Sequence, residues 1–380
     1  MVNKIALVKH PIIPFHLKQL FGKMPTTDIH MHIGGSTPKP LIKTFMKENG
    51  VREDEIPNLM QLVKHRYEST TEIARAYDIV PRHVSTPSQF HRATIGIIKE
   101  AAKDNVKIAE PRTSILNKGG KPLEIVEAVE DGIREGTTWV KKNFNYDMKV
   151  YLGILAQRLG TPEESLKTAK LAVEFAERPG SMIHSFDLAG DESRCSIEEH
   201  EEAIRYIKKY GPEHDIGLTI HAGERKTSGE ISGVESIRKA IEYGADRLAH
   251  VLMLMHDDEL RKYVIENRIP VETPPWGNAQ TGAIDNFSEH PIGDWLDEGM
   301  NCNLVTDNRF MSGINQKLQM AQLWTNGLIT KWEQFKQLTT NGIKAAFISQ
   351  EEKEIILAAA LKEFTELESR FDETISSYLS

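Results

Sequence analysis

Four short segments of this sequence place imidazoles and carboxylates where they could share a metal ion or move a proton. In Asp28-Ile29-His30-Met31-His32 the two histidines are one residue apart. Alternate side chains of a β-strand share a face, so His30 and His32 point the same way and can meet one ion. His221-Ala222-Gly223-Glu224 sets a carboxylate three residues after a histidine, across a glycine that lets the backbone turn. That pairing suits metal binding combined with acid–base work. Arg247-Leu248-Ala249-His250 and Val305-Thr306-Asp307-Asn308 each end an apolar run on polar groups. Each segment alone has an ordinary explanation: a surface histidine, a glutamate opening a helix, an Asx turn. Together His30, His32, His221 and Asp307 make a donor set for a borderline divalent ion such as zinc. His250 and Glu224 are then left to act on a water and a substrate.

Those segments work together only if the fold gathers them. Eight β-rich runs recur along the chain: Thr26–Met31, Val106–Arg112, Asp147–Leu155, Met182–Asp187, Gly217–Ala222, Arg247–Ala249, Pro270–Thr273 and Cys302–Val305. Several are almost continuously apolar, as parallel strands covered on both faces are. Helical patterns fill the gaps. One starts at Thr161, with Pro162 in the first turn and Glu164 completing a capping box, and turns Leu166, Ala169 and Val173 inward. Another is expected from Ser196, with Glu199 as its box partner. Further helices are expected over Leu123–Ile133, Val234–Tyr243, Asp257–Glu266 and Gln350–Tyr378. Strands alternating with helices predict a (β/α)8 TIM barrel, in which the four segments end strands one, five, six and eight and converge on one mouth. An open doubly wound sheet is the rival, but neither GxGxxG nor GxxxxGK[ST] follows any strand. The long stretch after the first strand, about residues 33–105, reads as a helical insertion that would sit over the mouth as a lid. No linker divides the chain, so residues 1–380 are expected to form one barrel domain, closed by C-terminal helices over about 314–380.

Composition narrows the function. Hydrophobic residues at 39% and charged residues at 27% are those of a globular enzyme. A net charge of −8 argues against nucleic acid or an anionic membrane as main partner and leaves small-molecule chemistry. Two cysteines, Cys195 and Cys302, make no disulfide framework and read as buried thiols in a reducing compartment. The N-terminal MVNKIALVKHPIIPF lacks the apolar core and cleavage site of a secretory signal, and no stretch approaches the length of a membrane span, so a cytoplasmic location is expected.

Read in order, the motifs resemble the adenosine deaminase family of the amidohydrolase superfamily. They are DIHMHIGGSTP from residue 28, AEPRTS at 109–114, FDLAGDE at 186–192, HAGE at 221–224, RLAHV at 247–251, PPWGNAQTGA at 274–283 and VTDNRF at 305–310. The resemblance covers about residues 25–345, and the series is specific where no single motif would be. It implies one zinc ion per chain, on His30, His32, His221 and Asp307. It implies that Glu224 protonates N1 of a purine ring and that His250 orients and deprotonates the water the zinc activates, with Asp307 completing the catalytic set. Gly190 matches the backbone that binds the purine edge. Asn308 falls where many members carry a second aspartate facing N7, and Gly34 where members commonly carry an aspartate that contacts sugar hydroxyls. Ala249 and Val251 flank His250 where glycines are common.

The implied reaction is hydrolytic deamination of adenosine, or of a close 6-aminopurine nucleoside, to the 6-oxopurine and ammonia. Chemistry on the residues agrees: a carboxylic acid that donates to N1 takes the ring's developing charge, so the Glu224 pKa is expected to rise in the substrate complex. The departures at Gly34 and Asn308 bear on the substrate. Adenine, a 5′-modified adenosine or an N6-substituted adenosine are the alternatives. Another amidohydrolase reaction is disfavoured by Glu224, and a nucleoside-binding protein without turnover by the intact donor set. The expected partner is a small purine nucleoside, with no nucleic acid or membrane.

Overall fold

Nine parallel strands form one sheet in the computed structural model, which describes residues 15–225 and 232–379. They are β1 (Thr26–His32), β2 (Val106–Thr113), β3 (Lys149–Val150), β4 (Leu152–Gln157), β5 (Ile183–Ala189), β6 (Gly217–Ala222), β7 (Arg247–His250), β8 (Val271–Thr273) and β9 (Cys302–Leu304). The hydrogen-bonded order is β1-β2-β4-β5-β6-β7-β8-β9, with β3 also pairing β2. β3 and β4 are one expected strand interrupted at Tyr151, whose amide still bonds Ala109 O at 3.1 Å. The eight staves are therefore those expected from sequence.

The barrel closes between its last and first strands. Asp307 bridges Met31: its amide donates to His30 O at 2.9 Å, and the His32 amide donates to Asp307 O at 2.8 Å. The Asp28 carboxylate secures the same seam, accepting from the Thr306 amide at 2.9 Å and the Thr306 hydroxyl at 2.7 Å. Closing the sheet satisfies the backbone groups that an edge strand would expose.

Both faces of the strands are covered. β2 is buried at every position, and every residue of β1 except His32 is buried. Helices form the outer wall, including Pro87–Ala102, Pro122–Phe144 and Pro162–Ala176. The capping box at Thr161 is present in full, and Ala169 and Val173 are buried while Leu166 is only partly so. Two expectations shift. The helix placed at Ser196 begins at Glu201, after a short 3-10 turn at Glu198–His200; only the Glu199 half of the box forms, from the Ser196 amide at 3.3 Å. The stretch 33–105 is not helical throughout. Helices Ile33–Ser36, Lys39–Glu48, Ile56–Met60 and Thr70–Ile79 are separated by irregular backbone, and the last helix, Pro87–Ala102, belongs to the outer wall.

The segment around residues 64–67 is tied across the mouth. The Gln280 amide donates to Lys64 O at 2.6 Å and Met311 O at 2.7 Å, and the Tyr67 amide donates to Gln280 O at 3.0 Å. At the opposite end, helices Trp332–Ala345 and Gln350–Leu379 pack apolar residues such as Ile343 and Ile356 against Ile29, Ile108 and Val305. Cys195 and Cys302 are buried and unpaired. The N-terminal segment read for a signal lies, up to residue 14, outside the described residues. Among the described residues no helix is long and apolar enough to cross a membrane.

Candidate active site

The strand ends bring the four expected donors together. His30 and His32 leave β1, His221 lies near the end of β6, and Asp307 follows β9. One ligand atom from each lies within 4.8 Å of all the others. His32 Nε2 is 3.1 Å from His30 Nε2, 3.3 Å from His221 Nε2 and 3.2 Å from Asp307 Oδ1.

The second nitrogen of two of these rings explains why those contacts suit a cation. His221 Nδ1 donates to Asp187 at 3.0 Å, and His30 Nδ1 lies 2.7 Å from Glu272. A proton held at Nδ1 leaves the lone pair at Nε2, which is the arrangement of a metal-binding imidazole with a carboxylate behind it. Lone pairs that converge at about 3 Å repel unless positive charge sits among them. The donor chemistry, three imidazoles and one carboxylate, fits zinc. Burial pushes the His221 pKa down to about 4, so the ring is neutral near pH 7. Burial pushes Asp307 up, but the His30 and His32 rings beside it outweigh burial and hold the carboxyl well below the usual range.

A layer of buried charge supports the donors. Asp187 also accepts from Arg112 at 3.0 Å, and Glu272 lies 3.3 Å from Arg112 and 2.7 Å from Arg247. Burial raises Asp187 and Glu272, but neighbouring cations reverse the shift, and both stay ionised. Arg112, Asp187, Arg247 and Glu272 had no role assigned from sequence. Their signal was a charge inside a strand covered on both faces, because a buried charge needs a partner.

His250 ends β7 with its ring centroid 5.0 Å from that of His221. Its Nδ1 faces Asn278 Oδ1 at 3.1 Å, which leaves Nε2 for the site. Asn278 lies inside the PPWGNAQ motif, yet its partner became visible only in three dimensions. His250 and Val251 have φ of 71° and 46°, in the left-handed region. Glycine is unstrained there, whereas a β-branched valine costs about 1–3 kcal/mol. A glycine at the Val251 position, which the family resemblance implies, would be free of that cost.

Glu224 follows Gly223, which turns at φ 63°. Burial pushes the Glu224 carboxyl up, but His250 and Arg225, the latter 3.3 Å away, outweigh it and hold the pKa below the usual range. The raised value expected for the substrate complex therefore requires the ring nitrogen beside it.

The remaining three expected residues follow the ends of barrel strands. Asn308 Nδ2 donates to Asp307 Oδ1 at 2.6 Å, and a Cβ on Gly35 would lie 1.7 Å from Asn308 Oδ1, so Gly35 makes room for this amide. Gly190 follows β5 at φ 126°, against Arg158. A Cβ on Gly34 would lie 2.7 Å from Pro81 Cβ, so the space next to Gly34 is filled by the insertion. Asn308→Ala is expected to lower kcat/KM by the equivalent of roughly 1–3 kcal/mol, the cost of an unmade buried hydrogen bond. Steady-state kinetics with metal analysis check this. An unchanged kcat/KM would remove Asn308 from the base site, and lost metal would show that it serves only Asp307.

Comparison with known proteins follows the same lines. A structure of a Burkholderia ambifaria amidohydrolase with bound zinc superposes with a TM-score of 0.78 at 18% identity, covering 95% of this chain and 96% of that one. The adenine deaminase of Arthrobacter aurescens superposes with a TM-score of 0.76 at 19% identity, covering 90% and 98%. In sequence, the adenosine deaminase of Clostridium kluyveri is 28% identical over 345 residues, 89% of this chain and 93% of the relative. The adenosine deaminase family model matches residues 25–362, from the first strand of the barrel into the C-terminal helix. With a match of that extent, the chain belongs to the adenosine deaminase family.

Proposed function

We propose that this protein hydrolyses the exocyclic amine of adenosine, or of a closely related 6-aminopurine nucleoside, to give the 6-oxopurine and ammonia. The observation that carries the reading is the convergence of His30, His32, His221 and Asp307 beside both a histidine and a carboxylate, on a chain of this family.

Zinc, when bound, supplies the Lewis acidity that makes water nucleophilic near neutral pH. His30, His32, His221 and Asp307 would hold it, with Asp187 and Glu272 orienting two of the rings. The chain's own groups then handle the protons. Water adds to C6 of the purine, His250 takes one of its protons, and Glu224 delivers a proton to N1. The C6–N bond breaks as His250 returns its proton to the leaving amine, and Glu224 takes the proton from the new C6 hydroxyl. Ammonia and the 6-oxopurine leave, and both side chains are restored. Gly190 offers backbone to the purine edge, and Asn308 faces N7 with an amide that can donate to that acceptor. The single-domain chain, residues 1–380, uses the helices between residues 33 and 86 as a lid over the barrel mouth, and acts on its substrate in the cytoplasm.

Gly34 carries the specificity reading. It has no carboxylate to receive sugar hydroxyls, and losing such a group weakens discrimination at that end of the substrate. Adenosine, adenine, N6-methyladenosine, 5′-deoxyadenosine and 5′-methylthioadenosine are to be assayed by ultraviolet loss and ammonia release. We expect turnover of adenosine or a 5′-modified adenosine, with the 5′-modified compounds tolerated. A strong preference for adenosine would defeat the Gly34 argument and leave deamination standing. Neither ultraviolet loss nor release of ammonia (methylamine from N6-methyladenosine) from any of them by the zinc-loaded protein would defeat the function itself.

A further inference from the structure

Two buried side chains of opposite charge, which the proposed chemistry does not use, grip the backbone between a metal ligand and the acid. Glu192 is 5% exposed and lies beyond β5. Its two carboxylate oxygens accept main-chain N–H groups of consecutive residues, Gly223 at 2.8 Å and Glu224 at 2.8 Å. Arg158 is fully buried and follows β4. Its guanidinium donates to His221 O at 2.5 Å and to Cys195 O at 3.3 Å. Four residues, His221 to Glu224, thus have a carbonyl held by a cation at one end and two amides held by an anion at the other.

The grip answers a problem set by the chain's path. The backbone turns at Gly223 with φ 63°, and a Cβ there would come within 2.4 Å of Ile237. A backbone leaving a parallel strand through a left-handed glycine directs two N–H groups away from the sheet. Buried and unpaired, each would cost of order 1–3 kcal/mol. A carboxylate satisfies both with charge-assisted bonds, which are about twice as strong as neutral ones. The consequence is geometric. Glu224 is anchored by its own amide, so its carboxyl is placed from the same short segment that carries the His221 ring.

We infer that Glu192 and Arg158 are positioning residues that fix the spacing between the metal ligand His221 and the proton donor Glu224. The inference rests on Glu224 being that donor. Catalytic groups must be held within about half an ångström of their working geometry by such supports, so loosening the segment costs proton delivery more than substrate binding.

The test uses the zinc-loaded full chain with adenosine, or with the aminopurine that the screen identifies. In Glu192→Gln one acceptor oxygen becomes an NH2 group facing a backbone N–H. We expect kcat to fall about 10–100-fold, with KM within about threefold of wild type and one zinc per chain retained. The deciding measurement is Glu192→Gln in a Glu224→Gln background. Positioning acts through Glu224, so the second substitution should then cost less than about threefold. A structural defect would instead cost the same in both backgrounds. Glu192→Asp, which keeps the charge and both oxygens but is one methylene shorter, should fall between wild type and Glu192→Gln, and it repeats the cycle if Glu192→Gln does not fold. A kcat within twofold of wild type, or an undiminished loss in the Glu224→Gln background, overturns the inference. A normal kcat in Glu224→Gln alone instead overturns the assignment of the acid.

Discussion

His221→Ala is expected to abolish turnover and to leave the purified protein short of zinc. The ring supplies one of four donors, and it is the donor whose far nitrogen is tied to Asp187 at 3.0 Å. Losing a supporting partner of a metal ligand typically costs ~10–100-fold in affinity or activity; losing the ligand itself must exceed that. The substitution also leaves Asp187 with Arg112 as its remaining close cation, so the buried charge layer stays partly paired and the fold should survive. Metal analysis after dialysis, beside ammonia release, reads both effects. An active His221→Ala protein with one zinc per chain would remove this residue from the metal centre and reopen the whole donor set.

Glu224→Gln should produce the second large loss, of a different kind. Glutamine keeps the shape of the side chain and leaves the backbone amide on Glu192 in place, but it cannot deliver a proton. General acid–base steps contribute ~10²–10⁴-fold, and kcat should fall by at least the lower figure with zinc retained. The carboxyl is held below its usual pKa range by His250 and Arg225, even though burial pushes it up. On the proposed reading, a ring nitrogen acceptor beside the carboxyl favours its neutral, proton-donating form. Removing the carboxyl should consequently affect turnover more than binding. Pre-steady-state and steady-state rates separate the two, and near-normal turnover in Glu224→Gln would reject N1 protonation by this residue.

Much of the barrel was legible in the chain. Parallel strands covered on both faces must be apolar, so the eight staves announced themselves as short β-rich runs, and Gly217–Ala222 was placed to the residue. The His-x-His spacing was readable because a strand alternates its faces, and the two rings do meet, 3.1 Å apart at Nε2. Thr161, Pro162 and Glu164 marked a helix start because capping is local chemistry. Ser196 and Glu199 showed the same local signal and misled, since the backbone there makes a 3-10 turn before the helix proper at Glu201.

Sequence alone therefore determined which residues could bind a metal and move a proton, and which strand ends would carry them, because residue type, alternation and capping act within a few positions. Tertiary structure alone decided what stands behind them. Asp187 is 34 residues from His221, Glu192 is 31 residues from Gly223, and Asp28 is 278 residues from Thr306, yet each pair is hydrogen-bonded. Such partners have no spacing rule. They are chosen by the barrel's closure, which brings distant strands side by side and excludes the water that would otherwise satisfy their charges. The same closure turns Asp307 from a residue after the last strand into both the bridge to Met31 and a neighbour of His30 and His32.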